Sequence, residues 1–76
     1  MIKLTRSDPA ANMHRFYALQ LGLPLFGEWL LVAEWGRIGS PGRVKEECFG
    51  SHGEAQAALS KRLSVKIRRG YTVTSA

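Results

Sequence analysis

Apolar and polar residues alternate with a period of two over the first two-thirds of the chain. They switch to spacings of three and four near its end. Ile2 and Leu4 alternate with Lys3 and Thr5, which predicts a short strand over residues 1–6 with Arg6 at its exit. Ser7-Asp8-Pro9-Ala10-Ala11-Asn12 reads as a loop, from its Asp-Pro step and its small residues. A second strand is predicted over 14–21, with Tyr17, Leu19 and Leu21 on one face and Phe16, Ala18 and Gln20 on the other. Residues 22–27 form a connection, and its apolar Leu25 and Phe26 are expected to tuck beneath the sheet. The longest strand candidate covers 28–38. It is apolar on both faces through Val32, which predicts a central strand covered on at least one side. Ser40-Pro41-Gly42-Arg43 fits a type II turn with Gly42 at positive φ. That turn makes a hairpin with a strand over 44–49.

Gly50 breaks the alternation. Ser51-His52-Gly53-Glu54 has the form of a capping box, Ser at the N-cap and Glu three residues later. A helix is predicted over 52–69, with Ala55, Ala58, Leu59, Leu63 and Ile67 as one apolar stripe. Gly70 suits the position just past the helix, and Arg68 and Arg69 suit its negative end. Residues 71–74 add a last edge strand, and Ser75 and Ala76 are expected to fray. The sum is an α+β domain over residues 1–76. It has a small antiparallel sheet of four to five strands, with one helix from the C-terminal half packed on one face.

Composition narrows the partners. A chain of 76 residues buries only about 60% of the surface its unfolded form exposes, so one domain is the limit. Lys and Arg total 11 against 6 acids, a net charge of +5. This favours an anionic partner: nucleic acid, an acidic protein or a lipid surface. The excess is local, since Lys61, Arg62, Lys66, Arg68 and Arg69 lie in the last 16 residues without one acid among them. Cys48 is the single cysteine, so no internal disulfide forms, and an unstapled domain of this size points to a reducing compartment, the cytoplasm. The N-terminus has no apolar signal core, and no apolar run approaches the roughly 20 residues that span a bilayer, so no membrane partner is expected.

Catalytic residues are not expected. Asp8 is the one Asp, and His14 and His52 have no evident acid or nucleophile beside them. Cys48 and His52 are four apart, but Gly50 and the helix start lie between them, and zinc usually takes about four ligands. No phosphate-cradling Gly loop ending in Lys-Ser/Thr occurs. Cys48 is most simply a small strand hydrophobe. Neither a metal nor a cofactor is expected.

The candidate chemistry lies in Trp35-Gly36-Arg37-Ile38-Gly39. A strand Trp is commonly core. Trp29 and Leu31 already supply core bulk, however, and Trp35 sits where the strand meets its turn. A ring displayed there stacks on a nucleotide for about 1–3 kcal/mol. Gly36 within a strand marks a bulge or a close approach of another backbone, a phosphodiester included. Arg37 forks onto phosphate oxygens, and Arg43 and Lys45 lie near it across the turn. On the helix, Arg62 and Lys66 flank the apolar stripe and snorkel over it. Lys61, Arg62, Lys66, Arg68 and Arg69 extend the basic surface as a phosphate track, or else form a polar helix face that complements the dipole. Tyr71 is as readily a sheet residue as a stacking one.

The ordered set Met13-His14-Arg15-Phe16-Tyr17, Leu25-Phe26-Gly27, Trp29, Trp35-Gly36-Arg37-Ile38-Gly39, Phe49, Glu54-Ala55, Lys66 and Arg69-Gly70-Tyr71 resembles a WGR domain. The resemblance covers residues 13–71. Such domains occur in DNA-damage-responsive poly(ADP-ribose) polymerases and as short bacterial proteins. In the polymerases the motif Trp stacks on the sugar of the terminal nucleotide, next to the 5′ end of a strand break. The motif Arg works at the DNA and at neighbouring domains. The resemblance implies these roles for Trp35 and Arg37. The 76 residues hold no transferase domain and no zinc fingers, so a stand-alone module of bacterial type is implied, cytoplasmic or nucleoid-associated.

The resulting expectation is a non-enzymatic module that grips DNA ends or nicks through Trp35, Gly36, Arg37, Arg43, Lys45, Lys66 and Arg69. Contacts to phosphate and sugar should dominate, with little base readout. The competing expectation is a protein-interaction module using the same surface, since Trp and Arg are enriched in interface hot spots.

Overall fold

The computed structural model describes residues 1–22 and 26–76. Its elements run β1 (Ile2–Asp8), a 3-10 turn (Pro9–Ala11), β2 (Met13–Gly22), β3 (Trp29–Arg37), β4 (Arg43–Phe49), α1 (His52–Arg68) and β5 (Thr72–Ser75). The five strands form one sheet in the order β4-β3-β2-β1-β5, every neighbour antiparallel. The α+β architecture anticipated from the hydrophobic pattern is the one observed.

Register explains why one face is apolar. Leu4 pairs with Tyr17, Leu19 with Ala33, and Leu21 with Leu31, so the period-two apolar sets of three strands meet on one side. The helix lies on that side. Leu4, Leu19 and Leu31 are fully buried there with Tyr17, Ala33 and Leu59, and Ala58 and Leu63 pack against them. Fully burying a side chain of this kind stabilises by about 1.5–3 kcal/mol. A domain with so few buried side chains has little margin to lose.

The helix follows its sequence signals at both ends. Ser51 accepts a hydrogen bond from the Glu54 N–H at 3.2 Å, and Gly50 N–H donates back to Glu54 Oε2 at 3.3 Å. At the other end Gly70 takes φ +96, its N–H bonds to Ile67 O, and Tyr71 N–H bonds to Lys66 O. This 5→2 and 6→1 pair is a Schellman motif, which ties Tyr71 to the last turn. The apolar stripe ends sooner than the spacing predicts. Ile67 is 49% exposed. Lys66, three residues after Leu63, takes the inward place, with its ammonium over the Tyr17 ring.

Three other expectations are corrected. β1 continues to Asp8, because Ser7 and Asp8 pair with His14 and Met13 across a tighter return than the Asp-Pro loop suggested. Ala11 N–H donates to Asp8 Oδ1, and Asn12 takes φ 52, a conformation that Asn tolerates better than most residues. Ser75 belongs to β5 rather than to a frayed end, since it pairs with Lys3. Phe26 does not tuck under the sheet. It is 91% exposed, while Trp29 meets His52 at the start of the helix. The matching expectation for Leu25 lies outside the described residues.

The turn between β3 and β4 also differs. The positive φ falls on Gly39 (+88), and Ser40 N–H donates to Arg37 O at 3.1 Å. The chain therefore reverses three residues before Gly42. Gly42 is needed for a different reason. A Cβ there would stand 2.6 Å from Trp35 O and 2.7 Å from Phe16 Cζ. A Cβ on Gly36 would stand 3.0 Å from Gly42 Cα and 3.3 Å from Phe16 Cε1. The two glycines and the Phe16 ring thus close on one another at the end of the sheet. Gly36 forms no bulge, because the register runs unbroken through Phe16↔Gly36 and Arg15↔Arg37.

Candidate nucleic-acid interface

The helix covers only part of its face of the sheet. Beyond its last turn the same face continues, and period two decides what it carries. Arg6 pairs with Arg15, and Arg15 with Arg37, so three arginines stand in one row across β1, β2 and β3. One residue pair further in, Trp35 sits between Tyr17 on β2 and Arg43 on β4. Neighbouring strands lie about 4.8 Å apart, so this row gathers like charges with no intervening residue. Like charges directly opposite one another destabilise a sheet. A bound polyanion would relieve that repulsion.

Trp35 is half-buried. Its ring stacks on Tyr17 with centroids 6.2 Å apart and planes 24° from parallel. Tyr17 in turn meets the edge of Tyr71 at 6.4 Å and 70°. The Lys66 Nζ sits 4.5 Å from the Tyr17 centroid and 5.4 Å from that of Tyr71. The buried Tyr17 therefore anchors both the indole and the ammonium. The Schellman turn supplies Tyr71 as the second wall.

Trp35, Lys66 and Tyr71 line an open depression of about 650 Å³ at the end of the sheet. Arg15, Arg37, Arg43 and Lys66 are its cations, Trp35 and Tyr71 its aromatic walls, and no acid lines it among the described residues. Burial first, then repulsion from Arg69 and Arg15, holds the Lys66 pKa below the usual lysine value. Asp8 ends β1 on the same face, opposite Met13, with its carboxylate accepting from Ala11 N–H. Glu34, Glu46, Glu47 and Glu54 lie away from the depression. Glu54 caps the helix, and Glu47 pairs with Arg62. Glu34 and Glu46 occupy the opposite face by the register of β3 and β4.

Of the residues that sequence pattern proposed, the fold brings Trp35, Gly36, Arg37, Arg43 and Lys66 to this depression. The space left by Gly36 is occupied by the chain's own Gly42 and Phe16. Lys45 shares the face, but its Nζ lies 3.8 Å from Glu47 rather than in the depression. Arg69 caps the helix and acts on Lys66 through charge. Arg62 snorkels as expected, but toward Glu47.

Arg15 was missed, as was Arg6, whose Nε would lie 3.4 Å from a Cβ on Gly70. The signal was present: Arg15 has the parity of Tyr17 and Leu19. Arg15→Gln is expected to raise the unfolding temperature of the free protein, because it removes the middle charge of the row. It should also lower the salt slope of duplex binding by about 1. Thermal unfolding and a salt titration of affinity check the two halves.

Cys48 is exposed. Local desolvation, then the hydrogen bond and charge of Glu28 and the charge of Glu46, raise its thiol pKa, which keeps it a poor nucleophile at neutral pH. Among the described residues no three His, Cys, Asp or Glu side chains are grouped to hold a metal ion. No described helix is long and apolar enough to cross a membrane.

A model of the WGR domain matches residues 1–76. The chain belongs to the WGR family. WGR domains are nucleic-acid-binding modules without catalysis of their own. The chain is also similar to an uncharacterized protein, y4dW, of Sinorhizobium fredii. The two are 39% identical over 66 residues, which is 87% of this chain and 32% of that protein. The chain thus spans about a third of the length of the curated relative it matches. No solved structure matches it. The family's name-giving tripeptide is Trp35-Gly36-Arg37, and the structure puts its Trp and Arg on the basic, helix-bearing face and its Gly on the other.

Proposed function

We propose that this WGR domain binds duplex DNA at ends or nicks, with Trp35 against the terminal nucleotide and Arg15, Arg37, Arg43 and Lys66 on the phosphates beside it. The observation that carries this reading is a depression lined by Trp35, whose ring stacks on Tyr17, and by four cations, with no acid in its lining among the described residues. An intact duplex offers phosphates but no unstacked sugar or base to an indole. A terminus offers both. The cations supply affinity without reading sequence, and the ring supplies the preference for a terminus. Gly36 and Gly42 act by letting the two strands and Phe16 close behind the site.

The competing reading, a protein partner docked on Trp35 and Arg37, separates by salt. Four phosphate contacts give a slope of log K against log salt of about −3.6 for duplex DNA. A protein contact centred on Trp35 is expected to be much flatter. Arg43→Ala is expected to weaken binding to every duplex alike and to lower the slope by about 1. Fluorescence anisotropy at several salt concentrations measures both. A slope near zero would favour the protein partner.

A further inference from the structure

Lys66 differs chemically from the other three lysines. Lys45 lies 3.8 Å from Glu47. Lys61 lines a second groove with Glu47 and Arg62, a groove that Lys66 also borders, but Lys61 is not in the lining of the depression at the end of the sheet. Lys3 is exposed and sits on the opposite face, across from Ala18. The Lys66 ammonium has no carboxylate partner among the described residues. It rests on two tyrosine rings in an open depression that it shares with Arg15, Arg37 and Arg43. From the elements packed against it, Arg15 and Tyr17 face it from β2, and Arg69 and Tyr71 from the end of the helix.

We propose that Lys66 is an acylation site for acyl phosphates, small anionic donors whose phosphoryl group the surrounding guanidinium groups hold. A guanidinium fork fits two phosphate oxygens, and Arg15 lines the depression into which Lys66 also opens. A donor held there has its carbonyl carbon beside an amine. The ammonium first loses a proton to water, a step favoured by the burial and positive neighbours that lower its pKa. The nitrogen lone pair then attacks the carbonyl carbon. The new C–N bond forms, the bond from carbonyl carbon to phosphoryl oxygen breaks, and inorganic phosphate leaves with that electron pair. The second nitrogen proton passes to water, and a neutral amide remains. No oxidant, metal or second protein is required.

The acylation does not depend on nucleic-acid binding. Its consequence does rest on the reading above: the amide removes one of four cations and its contact with Tyr17 and Tyr71. Modification would therefore loosen the grip on DNA, and bound duplex would protect Lys66.

The test incubates the intact protein with acetyl phosphate and follows each lysine by mass spectrometry. Acetylation of Lys66 is expected to lead that of Lys3, Lys45 and Lys61 by about tenfold, the order expected when a charged cleft concentrates a counter-ion. Inorganic phosphate at constant ionic strength should slow Lys66 alone. With uncharged N-hydroxysuccinimidyl acetate the lead should shrink. Arg15→Gln should shrink the lead for acetyl phosphate toward that for the uncharged reagent. Equal rates at all four lysines would overturn the proposal. So would a Lys66 lead that ignores both inorganic phosphate and Arg15→Gln. Equal affinity of the protein for nicked and intact duplex would sink the DNA reading alone, while a Lys66 lead that responds to inorganic phosphate and to Arg15→Gln would still support this proposal.

Discussion

Replacing Trp35 with Ala is expected to bring the affinity for a nicked duplex down to that for an intact one. The stacking partner lost is worth about 1–3 kcal/mol, or roughly 5- to 150-fold in Kd. Binding to the intact duplex should change little, because Arg15, Arg37, Arg43 and Lys66 still line the depression. Truncation also uncovers Tyr17, against which the indole stacks at 6.2 Å, so the unfolding temperature should fall as well. Trp35→Phe separates the two effects. It keeps a ring on Tyr17 and should recover most of the preference for a break. Competition binding with nicked and intact duplexes, beside a thermal melt of each variant, gives the comparison. Equal loss for both duplexes would mean that Trp35 serves only as packing.

The second large effect is expected at a glycine that borders the depression. Gly42→Ala puts a methyl group 2.6 Å from the carbonyl oxygen of Trp35 and 2.7 Å from the Phe16 ring. The first of these is backbone and cannot swing aside, so β3 and β4 must part at the end of the sheet. Overpacking of this kind costs about 1–3 kcal/mol. In a domain of this size each kcal/mol lowers Tm by roughly 4–8 °C. The same displacement moves the strand end that carries Trp35, so the preference for a break should fall with stability. Gly53→Ala is the control. Nothing lies within 4 Å of its Cβ position, and it sits in the first turn of the helix. It is expected to be neutral or to stabilise by up to about 1 kcal/mol. Denaturant melts of both variants, with unchanged slopes, test the pair.

These two sites differ in how far the chain alone reveals them. Alternation in 14–21 put Tyr17 with Leu19 and Leu21 on one face of its own strand, but only the register with β3 sets Trp35 beside it. The helix ends were legible, since Ser51, Glu54 and Gly70 satisfy backbone groups within a few residues of themselves. Gly42 was legible only as a turn former. Its real neighbours, Trp35 and Phe16, are seven and 26 residues away, and only the paired strands bring them together. The Pro41-Gly42 step also looked like the turn itself, whereas Gly39 was free to reverse the chain first.

The basic surface was half legible for a related reason. Arg37 and Arg43 stand beside the Trp35 motif in sequence, and Lys66 flanks the apolar stripe. Arg15 opens a strand, where a lone cation reads as solvated, and its row with Arg6 and Arg37 exists only through register. Lys45 shows the reverse case. Its parity was right, yet Glu47 two residues on has the same parity and takes its charge. Charge counts along a chain cannot show which cations remain free. Paired strands and a covering helix decide that.

The account turns on a broken strand being the preferred ligand. The most direct measurement compares one covalently closed, relaxed DNA circle with the same circle carrying a single nick, at one salt concentration near 0.15 M. The account predicts tighter binding to the nicked circle by roughly 5-fold or more, with the difference abolished by Trp35→Ala. Equal affinity of the unmodified protein for the two circles would contradict it.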